Sequence, residues 1–117
     1  MKKIILFLYL IISLTNQAQT NVTGNIFSNT TWTQLNSPYI IKNDIIIYQG
    51  ATLTVQSGVE IKIDNGFKID LRGNLTLSGS ASDSIFIHSS DINPTKTSWY
   101  GIKFNALGKI KMDRVIF

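Results

Sequence analysis

Alternating apolar residues that return at a fixed spacing are the feature that most constrains this chain of 117 residues. When the chain is compared with itself at an offset of 22, Ile41 falls on Ile63 and Leu53 falls on Leu75. Alternation of this kind is typical of a strand with one buried face. A unit of about 22 residues cannot bury such a face alone. The pattern therefore predicts a stack of short β repeats that cover one another.

The self-comparison also predicts which residues form the inward ladders. A third copy of the pattern appears at an offset of 35, after a 13-residue insertion. Because one insertion restores the register of two successive strands, the third copy is a consistent continuation of the repeat. The predicted ladders are Ile45–Phe67–Ile102, Ile47–Ile69–Phe104, Leu53–Leu75–Ile110, Leu77–Met112 and Ile63–Ile85.

Three short strands with turns between them, repeated every 22 residues or so, predict an all-β chain folded as a parallel β-helix. Each strand then lies about 4.8 Å from its counterpart in the next coil. Two other architectures fit the pattern less well. A β-sandwich has strands at regular spacing but no reason to preserve register at 22, and a hexapeptide left-handed helix would recur at 18. No segment after the first eighteen residues has the apolar spacing of a helix.

The first eighteen residues have the composition of a secretory signal peptide. Lys2 and Lys3 precede the apolar run 4–14, and Ala18 offers a small residue for cleavage. A membrane anchor is the alternative, but eleven residues are far fewer than the ~20 that cross a bilayer as a helix. We therefore expect a secreted mature chain without a transmembrane segment. Because there is no cysteine, disulfides are excluded and bacterial export is favoured.

Several phrases of this sequence resemble one protein family. They are "NTTW" (29–32), "SPYIIKNDI" (37–45), "GATLTVQSGVEIKI" (50–63), "GNLTLSGSASDSIFI" (73–87) and "SWYGIKF" (98–104). Together they resemble the opening of secreted bacterial right-handed parallel β-helix repeat proteins, over residues 25–117. The resemblance implies a right-handed solenoid of about three coils with 19–38 as its N-terminal cap. It also implies a surface protein without assigned chemistry.

Residues 39–117 are then the coils, and the strand-like "KIKMDRVIF" at 109–117 carries no polar capping segment. A terminal coil needs such a cap for solubility. We therefore expect the coils to be truncated, with an open edge that pairs with further coils of the same chain or with another copy.

Charge and composition exclude several classes of function. The net charge of +4 falls to +2 once Lys2 and Lys3 are removed with the signal peptide. The remaining charges are scattered in both signs, so no basic stripe for nucleic acid exists. His88 is the single histidine and there is no cysteine, which leaves too few ligands for a zinc site. No metal or other cofactor is expected.

The insertion before the third copy is the first candidate binding region. It runs as a polar segment from Ser89 to Ser98, contains Asp91, and is followed by Trp99 and Tyr100. Insertions in repeat proteins emerge as loops on one face and often bind ligands. An aromatic platform beside polar side chains suits a sugar ring, which has an apolar face and hydroxyl edges. The alternative is a tolerated surface loop in which Trp99 covers the edge of the core.

The outward face of the first strand ladder is the second candidate. Its predicted outward ladder is Ile46–Lys68–Lys103, and Tyr48, Asp70 and Asn105 are expected beside it. One carboxylate is too few for calcium, which takes 6–8 oxygen ligands. A glycosidase needs two carboxyl groups about 5–10 Å apart. The alternative is a solvated face with an ion pair, and the sequence favours it.

These observations predict a secreted or cell-surface scaffold with a structural, adhesive or glycan-contacting role and no catalysis. Its expected partners are polysaccharides or host or cell-surface glycans. The alternative is the N-terminal part of a polysaccharide lyase or glycoside hydrolase whose active-site coils lie beyond Phe117.

Overall fold

The computed structural model describes residues 19–64, 66–90 and 101–117. The expected signal peptide, 1–18, lies outside these residues, as do Asp91, Trp99 and Tyr100. The described chain is all-β apart from one 3-10 turn, Gln34–Asn36. No helix in this part of the chain is long and apolar enough to cross a bilayer. The strands are β1 Thr20–Val22, β2 Thr30–Trp32, β3 Tyr39–Ile41, β4 Ile45–Ile47, β5 Thr52–Val55, β6 Glu60–Ile63, β7 Lys68–Leu71, β8 Asn74–Ser78, β9 Ile85–Ser89, β10 Gly101–Phe104, β11 Lys109–Asp113 and β12 Val115–Ile116.

These strands form three sheets in which every pairing is parallel. Sheet A has the order β1-β3-β6-β9-β12, sheet B the order β10-β7-β4, and sheet C the order β11-β8-β5-β2. Along the chain, one strand of sheet A is followed by one of sheet B and then one of sheet C. We call each such run a repeat, and each repeat pairs with the next one in all three sheets.

The predicted register is confirmed in part of sheet A and in sheet C. Ile41 pairs with Ile63. Leu53 pairs with Leu75, which pairs in turn with Ile110. Leu77 pairs with Met112 as expected.

The predicted register of sheet B is wrong by two residues, and one predicted pairing of sheet A is wrong by four. Ile45 pairs with Ile69 rather than with Phe67, and Ile69 pairs with Ile102 rather than with Phe104. The correct ladders are Ile45–Ile69–Ile102 and Ile47–Leu71–Phe104. In sheet A, Ile63 pairs with Ser89 rather than with Ile85.

Unequal corners explain the shift in sheet B. The corner from sheet A to sheet B is 42–44 in the second repeat and the longer 64–67 in the third. The following corner, from sheet B to sheet C, is 48–51 in the second repeat and only 72–73 in the third. Because β7 is also one residue longer than β4, the changes cancel. Sheets A and C therefore keep a spacing of 22 between these two repeats while the strand between them moves. A self-comparison at a single offset cannot detect this.

The two-residue corner 72–73 requires glycine at its second position. A Cβ atom built on Gly73 would lie 2.2 Å from the carbonyl oxygen of Tyr48 and 2.5 Å from that of Ala51. Both atoms belong to the backbone of the preceding, longer corner. The amide of Gly73 donates to the carbonyl oxygen of Ile47 over 2.9 Å. Close backbone approach, rather than a left-handed conformation, therefore selects glycine here.

The segment 19–38, expected as a cap, contains two strands that extend the sheets. β1 pairs with β3, β2 pairs with β5, and Ile26 forms a parallel bridge with Ile47 in sheet B. This segment is thus a first repeat with the same order of sheets. The sequence pattern does not reveal this repeat, because the segment is mostly polar and its inward apolar side chains are few and isolated. Trp32 is one of them and its ring stacks on Tyr39, with 4.6 Å between the ring centroids.

The core lies between the three sheets and consists of aliphatic ladders. Its largest fully buried side chains belong to sheets A, B and C alike, and inward and outward residues alternate along the strands. In the last repeat the ladders end on half-exposed residues, Phe104 at 53% and Met112 at 50%. The largest core side chains with less than 2% exposure are Ile41, Ile45, Ile47, Leu53, Ile61, Ile63, Ile69, Leu71, Leu75, Leu77, Ile85 and Ile87.

Polar side chains that precede a strand or bridge accept hydrogen bonds from backbone amides of the following repeat. We call each such hydrogen bond a clamp. Asn29, one residue before β2, accepts a hydrogen bond at Oδ1 from the amide of Thr52 over 3.0 Å. Asn25 does the same for Ile46 over 2.9 Å. Two further clamps repeat the arrangement: Ser37 Oγ accepts from the amide of Glu60 and Asp44 Oδ1 accepts from that of Lys68. These side chains satisfy amides at strand starts that the parallel ladders leave open.

We expect Gly73→Ala to destabilise the chain by on the order of 3 kcal/mol, because its methyl group would overlap two backbone oxygens that have no free space to move. Gly24→Ala is the matched control. No atom lies within 4 Å of its added Cβ, so the change should stay within about 0.5 kcal/mol. Urea unfolding followed by circular dichroism measures both. Equal stability of the two variants would contradict the close approach.

We expect Asn29→Ala to lower the free energy of unfolding by about 1 kcal/mol, because the amide of Thr52 loses its acceptor. Asn29→Asp keeps Oδ1 and should retain most of that stability. Urea midpoints of the two variants test the clamp. A loss as large in the aspartate variant as in the alanine variant would mean that the hydrogen bond is not what matters.

Candidate functional site

A column of outward side chains follows the strands of sheet B. Phe27, Tyr48, Arg72 and Asn105 each occupy the first position after their strand or bridge residue, one in each repeat. The register of sheet B continues into these positions, so they are neighbours along the stack. The rings of Phe27 and Tyr48 are nearly parallel, at 13°, with 4.7 Å between their centroids. That distance matches the spacing of adjacent strands. From the first repeat to the fourth, the column therefore consists of two aromatic rings, a cation and an amide.

The corner lengths create a cleft in this column. The short corner 72–73 lies between two four-residue corners, 48–51 and 105–108, which protrude on either side of it. The depression has a volume of about 390 Å³. We call it the corner cleft, and it is lined by Tyr48, Gln49, Arg72, Asn105, Ala106 and Leu107.

A buried carboxylate anchors the polar groups of the corner cleft. Asp70, on the outer face of β7, is only 7% exposed. Its Oδ2 accepts from Nη2 of Arg72 over 3.1 Å, and its Oδ1 accepts from Nδ2 of Asn105. Both carboxylate oxygens are thus engaged, and the side chains that reach the cleft are held in fixed directions.

Arg72 is the cation of the corner cleft. Its side chain is 47% exposed although one of its nitrogens contacts Asp70. The hydrogen bond that Arg72 donates to Asp70, and then the negative charge of Asp70, raise the pKa of Arg72 above the ordinary range. The guanidinium therefore stays protonated at any physiological pH. It has five N–H donors, and a single one is used by Asp70.

The structure separates the three described residues that were predicted on the outward face. Asp70 and Lys103 are register partners in sheet B, and Lys103 is exposed. Lys68 instead pairs in register with Gly101, and its ammonium lies 3.3 Å from Oδ2 of Asp44. The outward ladder is thus Ile46–Asp70–Lys103, not one that contains Lys68.

Sequence reasoning missed Arg72 because of the register error in sheet B. An offset of 22 aligns Asp70, rather than Arg72, with Tyr48. The pairing of Ile47 with Leu71 instead makes Arg72 the residue after Tyr48 in the column. The signal in the sequence is the contrast between the corner "YQGA" (48–51) and the corner "RG" (72–73), which shows that one corner is shorter.

A second depression, of about 440 Å³, lies beside sheet C. Its polar side chains are Thr52, Asn74, Thr76, Lys109 and Lys111, and it has no aromatic residue. The nitrogen Nδ2 of Asn74 is 3.4 Å from Oγ1 of Thr52. Both lysines are exposed on the last repeat, and among the described residues neither forms an ion pair with a carboxylate. This depression lacks the stacked rings and the anchored guanidinium of the corner cleft.

Sheet A carries two ionic groups on its outer side. Nε2 of His88 lies 2.7 Å from Oε2 of Glu60, and Nδ1 of His88 lies 2.9 Å from the carbonyl oxygen of Ser89. At the corner after β6, Lys42 lies 2.7 Å from Oδ2 of Asp64. Across residues 19–64, 66–90 and 101–117, no three histidine or acidic side chains come close enough to hold a metal ion.

No protein-family model, no curated protein and no solved structure matches this chain.

We expect the ion pair of Asp64 with Lys42 to stabilise the fold at neutral pH and to lose this effect in acid. Burial raises the pKa of Asp64, but hydrogen bonds from Lys42 and Ser90 and the charge of Lys42 outweigh it, so the pKa lies below the ordinary value of 3.8. A lowered folded-state pKa stabilises the fold above the unfolded value and less as pH falls through the folded one.

The wild-type chain should therefore exceed Asp64→Asn in stability by up to about 1 kcal/mol at pH 7. The difference should shrink as pH is lowered below 3.8. Thermal unfolding from pH 7 down to pH 3 measures it. A difference that is constant over this range would show that the charge of Asp64 is not involved.

Proposed function

We propose that this chain is part of a right-handed parallel β-helix, secreted or displayed at a cell surface, that contacts glycans through the corner cleft without catalysis. The parallel pairing supports the β-helix, because successive repeats add one strand to sheets A, B and C in a fixed order. Parallel strands joined by a crossover in one sheet are right-handed in about 98% of cases, which supports the handedness. The composition of residues 1–18 supports export.

The corner cleft is the observation that carries the glycan-contacting role. Tyr48 presents a ring that Phe27 supports from the neighbouring repeat by stacking. Rings ordered in this way suit the apolar face of a sugar. Gln49 and Asn105 line the same cleft with amides that suit hydroxyl groups. An aromatic surface with a few convergent polar groups is the usual composition of a small-ligand site.

The anchored carboxylate argues for binding rather than catalysis at this cleft. Asp70 is nearly buried, and its two oxygens contact Arg72 and Asn105. A general base or nucleophile needs an oxygen within hydrogen-bond reach of substrate. Asp70 has neither a free oxygen nor a second carboxylate beside it in the cleft lining. The alternative of a lyase or hydrolase with active-site coils beyond Phe117 therefore gains no support from the described residues.

Binding to a panel of immobilised glycans, followed by calorimetric titration of those that bind, tests the proposal. Tyr48→Ala should weaken binding by about two- to tenfold, since stacking on an aromatic ring contributes about 0.5–1.5 kcal/mol. Phe86→Ala is the matched control, because Phe86 is also partly exposed but lies on sheet A. It should bind as the wild type does.

Two outcomes would overturn this proposal. The first is that no glycan of the panel binds the folded chain. The second is that Phe86→Ala weakens binding while Tyr48→Ala does not, which would move the contact to another face.

A further inference from the structure

We infer that the corner cleft selects acidic glycans, with Arg72 contacting the carboxylate of a sugar unit whose ring lies against Tyr48. This inference rests on the proposed glycan-contacting function and adds the chemical class of the ligand. It also assigns roles to two residues: Arg72 as the contact for the anion and Asp70 as the residue that positions it.

The geometry of Arg72 points to an anionic ligand. Its side chain is half-exposed in the cleft, and Asp70 occupies one N–H of Nη2. Donors of the planar guanidinium remain for a ligand. An arginine side chain matches a carboxylate better than it matches a neutral hydroxyl, because it can donate two parallel hydrogen bonds.

The charge around the cleft remains favourable to an anion although Asp70 is close. The carboxylate of Asp70 faces Arg72 and Asn105, is 7% exposed, and has both oxygens hydrogen-bonded. Its register partner on the outer face is Lys103, which is exposed. Arg72 and Lys103 are the charged groups that meet solvent beside Asp70, and both are cationic. The two cations and the one carboxylate leave this group with a net charge of +1, and the acid orients the guanidinium.

The order of the column fixes how such a ligand lies. Tyr48 is held by the ring of Phe27 on one side of Arg72, and Asn105 is held by Asp70 on the other. A ligand that contacts Tyr48 and Arg72 together therefore spans two successive repeats.

Calorimetric titration with two probes tests the inference: a trimer of galacturonic acid and the neutral trimer of galactose. We expect the wild-type chain to bind the acidic trimer about tenfold more tightly, in line with hydrogen bonds to charged groups. Arg72→Gln should abolish that preference, so that the two trimers bind with similar affinity. Lys111→Gln is the matched control, because it removes the same charge from the second depression.

The positioning role of Asp70 has its own readout. Asp70→Asn should lower the ratio of acidic to neutral affinity several-fold. A merely structural role would reduce both affinities together. Circular dichroism of each variant shows that the strands are retained.

The outcomes separate the two proposals. Equal affinity for both trimers overturns the acidic preference and leaves the glycan-contacting function intact. Loss of the preference in Lys111→Gln but not in Arg72→Gln also overturns it, and points to the depression beside sheet C. Binding of neither trimer by a chain that binds other glycans contradicts the acidic class alone, whereas binding of no glycan at all overturns both proposals.

Discussion

Backbone hydrogen bonds between successive repeats are the interaction on which the rest of this structure depends. A short strand in one repeat has no partner in its own repeat, so its amides and carbonyls are satisfied by the repeats before and after it. Parallel pairing in three sheets brings equivalent residues together, and ladders of isoleucine, leucine and valine then fill the interior. Where the ladders of hydrogen bonds begin, side chains such as Asn29 and Asp44 supply the missing acceptors. Without this pairing, neither the ladders of the core nor the columns of outward side chains would form.

Part of the fold follows from the sequence because inward residues alternate with outward ones and return after 22 residues between the second and third repeats of sheets A and C. The pairs Ile41–Ile63 and Leu53–Leu75 follow directly from that spacing. The position of β7 does not follow, since its two flanking corners change length in opposite directions. The first repeat escaped prediction for another reason. Its strands are stabilised by backbone pairing and by few apolar side chains, of which Ile26 and Trp32 are buried.

The candidate site shows how a small error in register becomes an error about function. Asp70 and Lys103 were expected on the outward face, and the structure makes them register partners. Arg72, two positions further along, escaped notice, although it is the residue that reaches the corner cleft. A carboxylate alone on a sheet face suggests little chemistry. The same carboxylate beneath a guanidinium and an amide becomes a support for both. Whether Asp91, Trp99 and Tyr100 contact ligand stays a prediction, since they lie outside the described residues.

The unequal corners have a consequence for how such a surface diversifies. The ladders in the interior constrain which residues face inward, but they do not constrain how many residues join one sheet to the next. Insertions and deletions at corners therefore change the shape of the outer surface while the packing of the core stays the same. A depression deepens when one corner loses two residues, and it disappears when they return. In a protein of this kind, evolution can adjust what the surface recognises through loop length as well as through side-chain identity.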